Sequence, residues 1–181
     1  MKTCRVIAFV SILLTTPLMA ANFTLSSDEI GGQLTSKQVF NGFGCSGDNI
    51  SPALNWKDAP AGTKSFAITL YDPDAPTGAG WWHWLMVNIP ASVNSLPADA
   101  GNPAKNLAPK GSVQTITSFG QAGFGGACPP EGHGPHHYIF TVYALGVESL
   151  DLKADSQPSL VGYMLNANTL EKASLISYYQ R

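Results

Sequence analysis

Charged residues are scarce in this 181-residue chain: they make up 12% of it and leave a formal net charge of -2, with no run of like charges. Binding to a phosphate backbone needs a concentrated basic surface, so no nucleic-acid partner is expected. The sequence also has no apolar stretch near the roughly 20 residues that a membrane-spanning helix needs, so no integral membrane segment is predicted. With 44% hydrophobic residues, the chain is instead suited to one packed domain.

The first twenty residues have the composition of a secretory signal peptide. Lys2 and Arg5 form a basic start, residues 6–14 are apolar, and small residues follow Pro17. A buried core helix is the alternative reading of the apolar stretch. We expect cleavage after Ala20 or Ala21, a single domain over residues 21–181, and a periplasmic or secreted location.

Cysteine is also rare, with three residues in the chain. Cys4 lies inside the predicted signal peptide and would leave with it. Cys45 and Cys128 would remain in an oxidising compartment, where two cysteines in an exported chain indicate one disulfide.

Short runs of β-forming residues, separated by Gly, Pro, Asn and Asp clusters, dominate the rest of the chain. This pattern predicts a mainly β protein, either a sandwich or a barrel. One helix is expected near the C-terminus, where Asp155 or Ser156 is suited to cap it and Pro158 to occupy its first turn.

Two predicted strands end their apolar faces in ionisable groups. Side chains alternate between the faces of a strand, so Phe66, Ile68 and Leu70 share a side that continues to Asp72 and Asp74. In the later strand the apolar residues Tyr138, Phe140 and Val142 follow His136 on one face, which places His137 on the other.

The same alternation is expected in the strand between them, where His83 precedes Leu85, Val87 and Ile89 on one face. Trp82 and Trp84 are then expected on the outer side of the sheet, and Trp81 at the mouth of a site. Antiparallel pairing of the Asp72 strand with the two histidine strands would bring the three polar ends together. The alternative is that each strand simply ends in water.

A carboxylate beside two imidazoles favours their charged forms, so raised histidine pKa values are expected. An imidazolium, the Tyr138 hydroxyl and backbone N–H groups of residues 123–128 would together suit an oxyanion such as phosphate. Asp72 and Asp74 are also candidates to receive an amine, and an anion with an amine describes a zwitterionic head group.

Three segments carry a family resemblance: residues 51–56 (SPALNW), residues 72–84 (DPDAPTGAGWWHW) and residues 128–138 (CPPEGHGPHHY). They resemble the phosphatidylethanolamine-binding protein (PEBP) family, in its bacterial Raf-kinase-inhibitor-like branch of the YbhB and YbcL type. The resemblance implies a Greek-key antiparallel β-sandwich with a few short helices, and a homodimer is compatible with it. It also implies a small anion pocket formed by Asp72, Asp74, His83, Pro129, His136 and Tyr138, with Trp81, Pro76 and Cys128 at the rim.

These observations favour an exported, non-catalytic binding protein or modulator without a cofactor or metal. Its expected ligand is phosphate or an anion like a phospholipid head group, and inhibition of an unidentified partner protein is a related hypothesis. The alternative is a metal-dependent or acid/base hydrolase that uses Asp72, His83 and His136. The chain contains no nucleophile elbow, His-Glu-x-x-His pair or Cys-x-x-Cys motif that would support it.

Overall fold

The computed structural model describes residues 22–181, and the predicted signal peptide lies outside this range. The described residues form a 3-10 turn at Pro103–Lys105, one α-helix, α1 (Pro158–Asn168), and ten strands. The strands are β1 (Thr24–Ser26), β2 (Asn41–Gly42), β3 (Cys45–Ser46), β4 (Leu54–Lys57), β5 (Ser65–Asp72), β6 (Trp81–Pro90), β7 (Ser95–Leu96), β8 (Val113–Gln114), β9 (His136–Leu145) and β10 (Thr169–Tyr179).

Two antiparallel sheets face each other. One has the order β1-β4-β7, the other has the order β10-β9-β5-β6-β8, and β2 and β3 form a separate hairpin. Apolar side chains from both sheets fill the space between them, including Leu54, Trp56, Ile68, Leu70 and Phe140. The predicted mainly β sandwich is therefore confirmed, and β5 lies at the centre of the larger sheet.

The helix α1 covers the outer face of the larger sheet. Its buried residues Val161 and Leu165 pack in a second cluster with Leu85 and Val87 of β6. The predicted side-chain cap is wrong: the residue before the helix is Gln157, which makes no capping hydrogen bond, while the Ser156 hydroxyl accepts from the Lys153 N–H. No helix within residues 22–181 is long and apolar enough to cross a membrane.

Strand β6 departs from simple alternation. Its pairing with β5 shifts register twice, between Phe66 and Ile68 and between Leu70 and Tyr71. Such bulges change which face the following side chains occupy. As a result Trp84 is buried between the two sheets while Leu85 faces α1, so the predicted faces of both residues are wrong.

A disulfide joins Cys45 to Cys128, which are separated by 83 positions. Closing a loop of this length stabilises the folded state by up to about 4.5 kcal/mol in the chain-entropy description. The bond also fixes the β2–β3 hairpin against the segment that begins Cys128-Pro129-Pro130.

Candidate functional site

The polar ends of β5 and β9 meet at one edge of the larger sheet. Because the two strands are antiparallel, the last residue of β5, Asp72, lies beside the start of β9. The His136 Nδ1 donates to Asp72 Oδ2 over 2.7 Å, and both side chains are almost completely buried. The other oxygen, Asp72 Oδ1, accepts from the backbone N–H groups of Asp74 and Ala75. Asp72 thus joins the sheet edge to the turn that follows β5.

The third predicted polar group, His83, is buried at the same edge. Its ring lies 5.2 Å from the Tyr138 ring between centroids, and its Nδ1 donates to the Gly125 carbonyl over 2.7 Å. Burial lowers the pKa of His83 to about 4, and the smaller opposing effects of Gly125 and Asp72 do not reverse this. The expected rise in its pKa is therefore wrong, because loss of hydration outweighs the nearby carboxylate.

The Tyr138 hydroxyl is buried and has no hydrogen-bond partner among the residues that the structure describes. Burial, followed by the charge of Asp72, raises its pKa, so the group stays protonated and able to donate. Asp72 adds to the rise through its charge and through its contact with the hydroxyl, yet no acceptor meets the distance and angle of a hydrogen bond. An unsatisfied donor of this kind in a folded protein calls for a physical explanation.

These groups lie at the bottom of a cavity of about 150 Å³ that opens to solvent. Its wall is mainly apolar and includes the four predicted residues Pro76, Trp81, Cys128 and Pro129. The full lining is Phe43, Asp72, Ala75, Pro76, Thr77, Trp81, His83, Phe119, Cys128, Pro129, Pro130, His136 and Tyr138. Phe43 and Phe119 also line the cavity, although no motif of the sequence predicts them there.

Asp74 lies outside this cavity. Its Oδ2 accepts from the backbone N–H and the ring Nδ1 of His137, at 2.8 and 2.6 Å. The hydrogen bond from the His137 backbone is the main cause that lowers the pKa of Asp74. The expectation that Asp72 and Asp74 share a face is wrong, because β5 ends at Asp72 and the chain turns. A joint amine site of the two carboxylates is therefore not formed.

His133 is a neighbour of the site that sequence reasoning left unassigned. Its Nδ1 lies 2.8 Å from His136 Nε2, on the exposed turn that leads into β9. The two ring nitrogens share one hydrogen bond, and the tautomers of the two rings decide which of them donates. The spacing of three residues across Gly134-Pro135 is the only sequence signal for this contact. The result is a hydrogen-bonded chain from Asp72 through His136 to the surface.

The glycine-rich segment before Cys128 does not offer its amides to a ligand. The N–H of Gly125 donates to the His83 carbonyl, that of Gly126 to the Asn49 side chain, and that of Ala127 to the Gln38 carbonyl. The expectation that this run supplies an oxyanion cradle is wrong for these three groups. These three amides are therefore not available to a ligand in the cavity.

The hydrolase alternative gains no support from this arrangement. Within residues 22–181, no three His, Cys, Asp or Glu side chains are placed to hold a metal ion.

The structure has two features that the family resemblance implies. They are a β-sandwich of two sheets and a small cavity that joins a carboxylate, two imidazoles and a tyrosine. The sequence matches the family profile described as phosphatidylethanolamine-binding protein over residues 26–180, and the chain belongs to this family. Two relatives from Escherichia coli are the UPF0098 proteins YbcL and YbhB. YbcL is 53% identical over 99% of both chains, and YbhB is 48% identical over 82% of this chain and 93% of its own.

Solved structures agree with this assignment. The crystal structure of E. coli YbcL, described as a member of the mammalian PEBP family, superposes with a TM-score of 0.87 at 55% identity. The match covers 89% of this chain and 99% of YbcL. A PEBP homologue from Chlamydia trachomatis, CT736, gives a TM-score of 0.71 at 26% identity, over 88% and 97% of the two chains.

Proposed function

We propose that this protein is an exported, non-catalytic member of the family whose cavity binds a small phosphate-like anion. The observation that carries the proposal is the Tyr138 hydroxyl, a buried donor without a protein partner in a cavity that opens to solvent. A ligand oxygen placed above the cavity floor would accept from it. Such a bond to a charged acceptor is stronger than one between neutral groups.

The second contact proposed for the anion is His136. Its ring lines the cavity and is fixed by Asp72 through Nδ1, and an anion that contacts Nε2 would replace His133 as its partner.

Export rests on separate observations. The predicted signal peptide over residues 1–20 and the Cys45–Cys128 disulfide both suit an oxidising compartment. A relative named as a putative lipoprotein of Mycobacterium tuberculosis, 38% identical over 58% of this chain, fits the same location. Inhibition of a partner protein and formation of a homodimer stay hypotheses carried by the family resemblance.

The sharpest test substitutes Tyr138 with Phe and titrates the protein with inorganic phosphate and with phosphoethanolamine. Binding is followed through the imidazole resonances of His83 and His136. Because the hydroxyl has no protein partner, Tyr138→Phe should leave the free energy of unfolding unchanged or slightly higher. We expect it to weaken anion binding by about tenfold to hundredfold, the usual value of a hydrogen bond to a charged group.

Tyr143→Phe is the matched control, because Tyr143 lies on the same strand but packs in the cluster on the outer face of the sheet. It should bind anions as the wild type does. Imidazole resonances that do not move at millimolar phosphate in the wild type would contradict the anion proposal. Equal binding by Tyr138→Phe would remove the observation on which it rests.

A further inference from the structure

The hairpin β2–β3 places an aromatic residue at the mouth of the cavity. Phe43 occupies the first position of its two-residue turn, is 68% exposed and lines the cavity. Tyr163 on α1 is equally exposed, so exposure alone is not informative, and Phe43 differs from it because its ring also lines the cavity.

The backbone at this turn does not suit phenylalanine. Phe43 and Gly44 have φ values of 53° and 84°, so both central residues lie in the left-handed region, as in a type I′ turn. Asn, Asp and Gly are preferred at the first of these positions, and a bulky residue there is a conformational outlier. The turn would be more stable without this ring, which indicates that the ring serves another purpose.

The position of the hairpin is nevertheless closely fixed. The Cys45–Cys128 disulfide holds its second strand, and the Arg181 guanidinium donates to the carbonyls of Gly44 and Pro129. The Phe43 ring lies nearly parallel to that of Phe119, with 5.8 Å between centroids and 14° between planes. One face of Phe43 is thus supported, and the ring is held in place at the mouth.

Phe43 and Phe119 belong to an aromatic row that leads inward. Phe119 meets the Trp81 ring edge-on at 5.3 Å and the His83 ring at 5.4 Å. An anion on the cavity floor beside His136 and Tyr138 would therefore have this row along the path to solvent.

We propose that Phe43 is a ligand-contacting residue that selects phosphate monoesters carrying an apolar arm over free phosphate and over esters with a polar arm. This inference rests on the proposed anion site, since the floor holds the phosphate while Phe43 and Phe119 contact the arm. Aromatic contacts of this kind add to the burial of apolar area.

The test compares four probes on the full mature protein: inorganic phosphate, phosphoethanolamine, butyl phosphate and phenyl phosphate. We expect the wild type to bind the two apolar esters about tenfold more tightly than phosphoethanolamine. One contact with an aromatic ring, together with the apolar area that it buries, is enough for a gain of this size. A stronger gain for phenyl phosphate than for butyl phosphate would assign the contact to ring stacking, and equal gains would assign it to burial alone.

Phe43→Asn is the informative variant, because Asn is favoured at this turn position and removes the ring. It should keep the wild-type affinity for inorganic phosphate, lose most of the preference for apolar esters, and unfold at the same or a higher temperature. Tyr163→Ala, on α1, removes another exposed aromatic ring outside the cavity and should leave all four affinities unchanged.

The outcomes separate this inference from the proposed function. If phosphate binds and Phe43→Asn retains the full preference for apolar esters, the role of Phe43 is wrong and the anion site stands. A lower unfolding temperature together with weaker binding of every probe would assign Phe43 to packing of the hairpin and overturn the inference. If the wild type binds none of the four probes, both proposals fail.

Discussion

Two His–Asp pairs lie side by side at the start of β9, and they have the same chemistry in different surroundings. His136 Nδ1 meets Asp72 Oδ2 at 2.7 Å with side-chain exposures of 2% and 4%. His137 Nδ1 meets Asp74 Oδ2 at 2.6 Å with exposures of 44% and 39%. The two Nδ1–Oδ2 distances are nearly equal, so the pairs differ in how much water reaches them.

Burial decides what each pair contributes. Water competes for the exposed pair, so its attraction is screened and its loss is easily replaced by solvation. In the buried pair, removal of one partner leaves the other without water and without its hydrogen-bond partner. The buried pair also adjoins the Tyr138 hydroxyl and the cavity, whereas the exposed pair contacts the Tyr178 ring at the surface.

Asp72→Ala should give the largest effect of any change in the two pairs. It leaves the buried His136 ring without its acceptor, and it removes the acceptor for the amides of Asp74 and Ala75. We expect a loss of about 3–5 kcal/mol in the free energy of unfolding, as for other broken buried pairs. Urea unfolding at pH 7 with the disulfide intact measures it, and a loss below about 1 kcal/mol would mean that burial does not distinguish the pairs.

The pH dependence of stability should come next in size, through the buried His83. Its pKa in the folded protein is about 4, below the ordinary value of 6.5, so the unfolded chain binds the extra proton first. The contribution of His83 is therefore complete above pH 6.5 and is lost as the pH falls towards 4. A shift of this size corresponds to about 3 kcal/mol, taken as an order of magnitude.

Urea unfolding of the wild type and of His83→Gln between pH 4 and pH 7 measures this contribution. Subtracting the two profiles removes the titration of groups that both proteins share, including the carboxylates of both pairs. The difference should decline through the window given above. A flat difference would show that His83 has the same pKa in the folded and unfolded protein and that its burial is not decisive.

The core and the convergence of two strand ends were predictable from the sequence. Alternation along β5 and β9 is undisturbed, so the faces of Leu70, Phe140 and their neighbours follow from parity, and antiparallel pairing then brings Asp72 to His136. Local patterning carries this information because both strands are buried in the middle of one sheet.

In strand β6, alternation does not predict the faces of the side chains correctly. Parity places His83 on the face of Leu85 and Val87, yet those two residues pack against α1 while His83 reaches the cavity. His83 lies at the register shift opposite Leu70 and Tyr71, so the bulge moves its ring to the side of Tyr138. His83 therefore lines the cavity because of the bulge and not because of the alternation from which its position was predicted. Bulges depend on strand pairing over long distances and have no reliable local signal.

Loop contacts were the other part that sequence could not supply. His133, Phe43 and Phe119 all reach the site from turns, and their positions depend on the disulfide and on tertiary packing. Hydrophobic periodicity does not predict the positions of side chains outside regular strands and helices.

Asp74→Ala should give the smallest effect and complete the comparison. Its pKa is lowered from 3.8, chiefly by the His137 backbone N–H and then by the ring, so its contribution is present above that value and lost as the pH falls below it. Because the pair is more than a third exposed, solvent screening limits the loss at pH 7 to about 0–1 kcal/mol.

Half-molar salt should reduce even this difference from the wild type, and it should leave most of the loss in Asp72→Ala unchanged. A cost for Asp74→Ala equal to that for Asp72→Ala would mean that both carboxylates act mainly as acceptors for backbone amides, with hydration of little consequence.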